Sequence, residues 1–193
     1  MTHSAVAPLA AGGWRRRMNQ VIVLAAAAAV AHALVTHFTA EEHVKALVAG
    51  DAMPAFSLPL RGGGTVTDKD GLGAPRLYFF YASWCPCSHQ SVEKIMRAVD
   101  GHRGAGLTAL FVGIQDSTEQ LEMFLRKHKL DVPAVVEGGQ SLADSVGVGI
   151  TPTTLFVDKE GVIRSVFVGK IEEYGQIAGG LESVAGPAGA AAP

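Results

Sequence analysis

Cysteine is nearly absent from this chain: 193 residues contain two, at positions 85 and 87. A disulfide between residues so close together removes almost no chain entropy from the unfolded state, so the pair would make a weak structural staple. Basic charge has no surplus either. Sixteen Lys and Arg stand against eighteen Asp and Glu, a formal net charge of −2, which leaves nothing to hold a phosphate backbone and argues against a nucleic-acid partner. Charged residues are scarce at 18%, while apolar types make up 48%. That balance excludes a disordered polyelectrolyte and implies a real buried core. No internal repeat is visible, and the length suits one domain of ordinary size with appendages.

The first 38 residues lack acid altogether and carry three arginines, Arg15, Arg16 and Arg17. An uncharged, mostly apolar run follows from Met18 to Phe38, 21 residues long, and about 20 suffice to cross a bilayer as a helix. Arginines before it, with Glu41 and Glu42 after it, predict a cytoplasmic N-terminus and an exported remainder. Residues 1–38 are therefore read as a signal anchor. A cleavable signal peptide is the alternative, since Ala31-His32-Ala33 and Phe38-Thr39-Ala40 offer small residues at cleavage spacing. Either way the domain is expected on the periplasmic or extracytoplasmic side; with the anchor it is held by a single pass through the cell membrane. Arg16-Arg17 lacks the rest of a twin-arginine signal, and His32 and His37 are read as incidental polar residues of the run.

Residues 39–50 read as a helical spacer opened by the capping pattern Thr39-Ala40-Glu41-Glu42 and ended at Gly50. Beyond it strands and helices alternate. Short strands are expected at residues 56–60 and 65–67, and an almost wholly apolar central strand at 76–81 (RLYFFY), suited to cover on both faces. A helix over 87–99 follows, then a strand at 107–114, an amphipathic helix at 117–129, a strand at 132–136 and a short helix at 140–146. A hairpin of strands 153–157 and 162–168 turns at Asp158-Lys159-Glu160-Gly161, and a helix over 171–184 closes the domain. Residues 185–193 lack anything to pack and read as a disordered tail. The order predicts an α/β fold with a mixed sheet flanked by helices, over residues 51–184.

The chemistry is expected at Trp84-Cys85-Pro86-Cys87, where the central strand gives way to a helix. Pro86 disfavours a helical backbone at Cys85 and itself suits the first helical position, which makes Cys85 the N-cap. Free N–H groups and the positive helix end then favour a Cys85 thiolate, a nucleophile near neutral pH. Redox chemistry or metal binding explains an adjacent cysteine pair better than structure does. Trp84, beside the thiol, is read as a shield or a partner contact.

Trp-Cys-Pro at a helix start, followed downstream by Thr151-Pro152 before a hairpin with Asp-x-x-Gly at its turn, resembles the thioredoxin superfamily. The stretch GDAMPAFSLPLRGG…VTDKDGLGAPRLYFFYASWCP is more narrowly similar to its redoxin and TlpA/ResA-like branch of membrane-tethered thiol–disulfide oxidoreductases, over about residues 50–184. The resemblance implies a thioredoxin-like fold, a cis proline at Pro152 beside the reactive cysteine, and a Thr151-Pro152 backbone that receives an extended peptide. It implies attack by Cys85, resolution by Cys87, protein disulfide or dithiol substrates, a thiol or disulfide donor protein, and no organic cofactor.

The chain departs from that pattern in three places. The family's C-x-x-C is here C-x-C, with Ser88 standing where the second cysteine would be. The buried acid expected six residues before the first cysteine is Phe79. Positions that peroxiredoxins fill with proline and threonine hold Tyr78 and Ala82, which argues against a dedicated peroxidase. Other readings are a thiol peroxidase, a purely binding thioredoxin-like domain, and a Cu(I)-binding protein using Cys85, Cys87 and His89 as soft ligands. For the last, ligands two apart on a helix diverge, and His89 is expected on the exposed side of the first turn. His43 and His128 read as helix-surface residues, and the histidines outside the run, His3, His43, His102 and His128, as unclustered.

Overall fold

The computed structural model describes residues 12–39, 48–137 and 142–187. It divides into two units, Met1–His43 and Val44–Pro193. The described residues of the first form helix α1 (Gly12–Thr39), along which Val21, Ile22, Val23 and Leu24 are exposed. Among the described residues no helix is long and apolar enough to cross a membrane. Side chains of α1 are described only over residues 17–30 and 32, so the expected 21-residue span does not fall wholly within them. Ala40, Glu41 and Glu42 of the spacer's capping pattern and most of the expected tail lie outside the described residues, while Thr39, expected to open the spacer helix, is the last residue of α1.

The second unit follows the predicted order of elements. A small antiparallel pair, β1 (Ser57–Pro59) and β2 (Thr65–Thr67), precedes β3 (Arg76–Tyr81), α2 (Pro86–Gly101), β4 (Thr108–Ile114), α3 (Thr118–His128), β5 (Ala134–Glu137), α4 (Leu142–Ser145), β6 (Thr153–Val157), β7 (Ile163–Val168) and α5 (Gly175–Ala185). Five strands form one mixed sheet in the order β5-β4-β3-β6-β7. The β3–β4 and β4–β5 pairs are parallel, and β6 runs antiparallel to both β3 and β7.

Alternation along β3 explains why its sequence is apolar after Arg76. Leu77, Phe79 and Tyr81 point to the face that carries α2, α3 and α5, against Ile95, Phe124 and Leu181. Tyr78 and Phe80 point to the opposite face, against Leu110, Leu142 and Val66. A strand buried on both sides needs apolar residues in both registers, and each such side chain contributes about 1.5–3 kcal/mol by leaving water. On the first face α5 approaches β6 closely, because a Cβ at Gly180 would stand 2.7 Å from the Phe156 ring.

Boundaries shift where side chains cap or interrupt. Ser117 lies outside α3 as its cap: its hydroxyl accepts from Gln120 N–H at 3.3 Å and Gln120 Oε1 accepts from Ser117 N–H at 2.7 Å. The closing helix starts at residue 175, not 171, because Gln176 Oε1 takes the N–H groups of Glu172 and Glu173 and holds them in a turn. At the hairpin turn, Asp158 Oδ1 accepts from Glu160 and Val162 N–H, and its Oδ2 accepts from Arg164 Nε at 2.5 Å. Burial pushes the Asp158 carboxyl up, but these donors outweigh it and hold it below the ordinary carboxylate value.

Candidate functional site around Cys85

The β3 strand delivers the reactive loop to one edge of the sheet, and β4, its parallel neighbour, delivers a second loop beside it. Tyr81 pairs with Gly113 in register, so residues that follow each strand are adjacent. Cys85 is the N-cap of α2, with extended φ −89° and ψ 118°, and Pro86 is the first helical residue. Its carbonyl accepts from Ser88 N–H at 3.1 Å, and its own N–H donates to Ala82 O at 3.0 Å.

Both cysteines are free and half-buried. The Cys85 thiol points to the Thr151 carbonyl, 3.8 Å away, and the Thr151-Pro152 peptide is cis. Burial pushes the Cys85 thiol up. The N–H groups of Ser88 and Cys87, followed by the Ser88 hydroxyl and the Cys87 thiol, pull it down further, and the net direction is below the ordinary thiol value.

Ser88 is fully buried, and its hydroxyl accepts from Ala82 N–H at 3.2 Å. One turn on, Ser91 Oγ donates to the Cys87 carbonyl at 2.9 Å and accepts from Ile171 N–H at 3.0 Å. These two serines fasten the first turn of α2 to the core and to the loop after β7. Trp84, 60% exposed, and Ile150, 61% exposed, present apolar surface from the two loops that meet at Cys85. A cleft of about 550 Å³ opens beside them, lined by Trp84, Gln115, Glu137, Asp144, Gly149 and Thr151.

Of the residues singled out in the sequence, Trp84, Cys85, Pro86, Cys87, Ser88, Thr151 and Pro152 converge here. His89 does not join as a ligand. Its ring turns away from the thiols, with Nε2 at 2.8 Å from Ser83 O and Nδ1 at 2.7 Å from His128 Nε2. Among the described residues no group of three or more His, Cys, Asp or Glu side chains could hold a metal ion. Two expectations are thereby corrected: His89 and His128 are half-buried, not surface residues, and they form a cluster. They meet because α2 and α3 both cover the same face of the sheet, with Phe124 packed between them and β3.

Asp116 was not singled out in the sequence, yet it grips the reactive loop. Its carboxylate accepts from Ser83 N–H at 2.9 and 3.2 Å and from Ser83 Oγ at 2.8 Å. The only signal was topological, since position 116 follows β4 as position 83 follows β3. Tyr81 belongs to the core, and its ring stacks on Phe124 at 4.2 Å. Its hydroxyl, however, is buried without a hydrogen-bond partner among the described residues, and burial together with the Asp116 charge raises its pKa.

Known proteins place this geometry. The chain is 25% identical over 154 residues to the thiol-disulfide oxidoreductase ResA of Geobacillus thermodenitrificans, which covers 79% of this chain and 86% of that one. It is 32% identical over 132 residues to the thiol:disulfide interchange protein DsbE of Pseudomonas fluorescens biotype C, covering 64% of this chain and 68% of the relative. The crystal structure of a putative thiol:disulfide interchange protein DsbE from Chlorobium tepidum superposes with a TM-score of 0.64 at 25% identity, covering 70% of this chain and 99% of that one. A thioredoxin domain of a Bacteroides vulgatus thiol-disulfide oxidoreductase shares the fold at a TM-score of 0.62, 18% identity and coverage of 68% and 96%. The AhpC/TSA family model matches residues 49–166. That match takes in the reactive loop and most of the sheet, and the chain belongs to the AhpC/TSA family.

Proposed function

We propose that this chain exchanges disulfides with other proteins through Cys85. The observation that carries the reading is the Cys85 sulfur itself, lowered in pKa at a helix start and facing the Thr151 carbonyl. Relatives named for thiol–disulfide oxidoreduction and interchange support it. Cys85 thiolate attacks one sulfur of a partner disulfide, and the partner's other sulfur leaves as thiolate. The Cys87 thiolate then attacks Cys85 in the mixed disulfide, closes a Cys85–Cys87 bond and releases the partner dithiol. Two electrons pass to the partner, and a separate dithiol donor protein restores Cys85 and Cys87; run backwards, the same steps oxidise a dithiol partner. A peroxide-cleaving site is less well supported, because Tyr78 and Ala82 occupy the proline and threonine positions of the peroxiredoxin pattern. Trapping tests the exchange: with Cys87→Ala the attack on Cys85 is removed, and partner proteins are expected to accumulate disulfide-linked to Cys85. Absence of any such adduct under oxidising conditions sinks the reading.

We further propose that α1 anchors the domain on the exported side of a membrane. Supporting this are the uncharged run from Met18 to Phe38, the three arginines before it and the helical backbone of Gly12–Thr39. Protease added to an opened cell envelope is expected to digest the domain, and uncut protein should stay in the membrane fraction. Recovery of the domain from the cytosol would overturn the topology.

A further inference from the structure

The exchange chemistry leaves unused the two imidazoles behind Cys85. His89 and His128 stack with centroids 5.0 Å apart, and each lies 4.9 Å from the Phe124 ring. A carbonyl oxygen only accepts, so His89 Nε2 carries a hydrogen whenever it contacts Ser83 O at 2.8 Å. In the neutral pair His128 Nε2–H must then donate to His89 Nδ1 across 2.7 Å.

One added proton keeps both contacts. His89 becomes an imidazolium donating from both nitrogens, and His128 accepts at Nε2 with its hydrogen on Nδ1. A second proton sets two N–H groups against each other across the same gap, and the contact opens.

We propose that His89 and His128 form a one-proton positioning pair, which holds the carbonyl side of Ser83 and thereby keeps the Cys85 loop in its reactive geometry until acid opens it. The inference rests on the reading of Cys85 as the reactive thiol. Ser83 is gripped from both sides: Asp116 takes its N–H and hydroxyl, and His89 donates to its carbonyl. Two residues later stands Cys85.

The groups facing the pair do not override this count. Glu93 and Lys94 of α2, and Lys170 and Glu172 of the loop after β7, line the same groove; the last two are ion-paired at 2.8 Å. Two acids and two bases there balance. Asp116 sits beyond Ser83, Cys85 and Cys87 lie on the preceding turn of α2, and Lys127 neighbours His128 on α3. Burial lowers the His128 pKa first, and then the charges of His89 and Lys127 lower it further, which agrees with a pair that resists a second proton.

Imidazole nitrogen resonances of the full chain in detergent test the pairing without reference to exchange. His89 and His128 are expected to move together in one step, taking up one proton between about pH 8 and pH 5. Two separate steps, with both rings charged by about pH 5, overturn the proposal. Iodoacetamide alkylation of Cys85 tests the positioning. His128→Phe, which leaves Nδ1 of His89 unpaired, is expected to slow it about fivefold at neutral pH. His128→Gln, whose amide can donate to or accept from His89, should recover at least about half of that loss. The ratio of the wild-type rate to the Gln-variant rate should stay level above about pH 5 and fall below it, since glutamine takes no second proton. A wild-type rate in the Phe variant, or a flat ratio down to about pH 4, overturns it. A pair that titrates as one unit in a chain forming no mixed disulfide would instead count against the exchange reading alone.

Discussion

Cys85→Ser is expected to abolish thiol–disulfide exchange, by a factor on the order of a thousand or more in the rate of mixed-disulfide formation. The serine hydroxyl titrates far above any working pH, so neither the helix N–H groups nor the Ser88 hydroxyl can supply the anion that attacks sulfur. Cys87→Ala should keep that first step and lose the second. The contrast separates the roles: Cys85 is required for attack, and Cys87 for release of the partner. Chromatography of adducts with a small disulfide reads both steps, with no adduct in the first variant and a persistent one in the second. A persistent adduct in Cys85→Ser and none in Cys87→Ala would reverse the assignment. The wild-type Cys85–Cys87 bond is expected to reduce readily. Residues two apart on a helical turn point apart, and closing that bond distorts the first turn of α2.

Ser88→Ala is the substitution with the next largest consequence, because one buried hydroxyl serves two groups. Ala82 N–H, itself fully buried, donates to Ser88 Oγ at 3.2 Å. Removing the acceptor orphans that donor at a cost of about 1–3 kcal/mol, to be read from denaturant unfolding. The same hydroxyl helps hold the Cys85 thiol below its ordinary value. Without it the thiol titrates higher, so the rise of Cys85 alkylation with pH should move to higher pH. In the wild type Cys85 is expected to alkylate faster than Cys87 at mildly acidic pH, and in Ser88→Ala that advantage should shrink. An unshifted alkylation profile with unchanged stability would remove Ser88 from the site.

Residue types and local spacing were enough to read Cys85 as an N-cap. Pro86 cannot be preceded comfortably by helical backbone, and this constraint acts between neighbours. The double-faced burial of RLYFFY and the hairpin turn at Asp158 were legible for the same reason, since each is decided within a few residues. α5 starts later than its spacing predicts because the apolar spacing from Ile171 continues through Ile177, while Gln176 Oε1 accepts from the N–H groups of Glu172 and Glu173 and closes a turn instead.

By itself, then, the sequence determined the order of strands and helices, the placement of the two cysteines at a strand-to-helix junction, and the pairing of that junction with Thr151-Pro152. Tertiary structure alone decided that Asp116 grips Ser83 across 33 positions and that His89 meets His128 across 39. Those partners are set by the parallel register of β3 with β4 and by the packing of α2 and α3 on one face of the sheet. Periodicity reports which side of an element is buried; which residue of another element it meets depends on how the chain returns, and no local spacing encodes that.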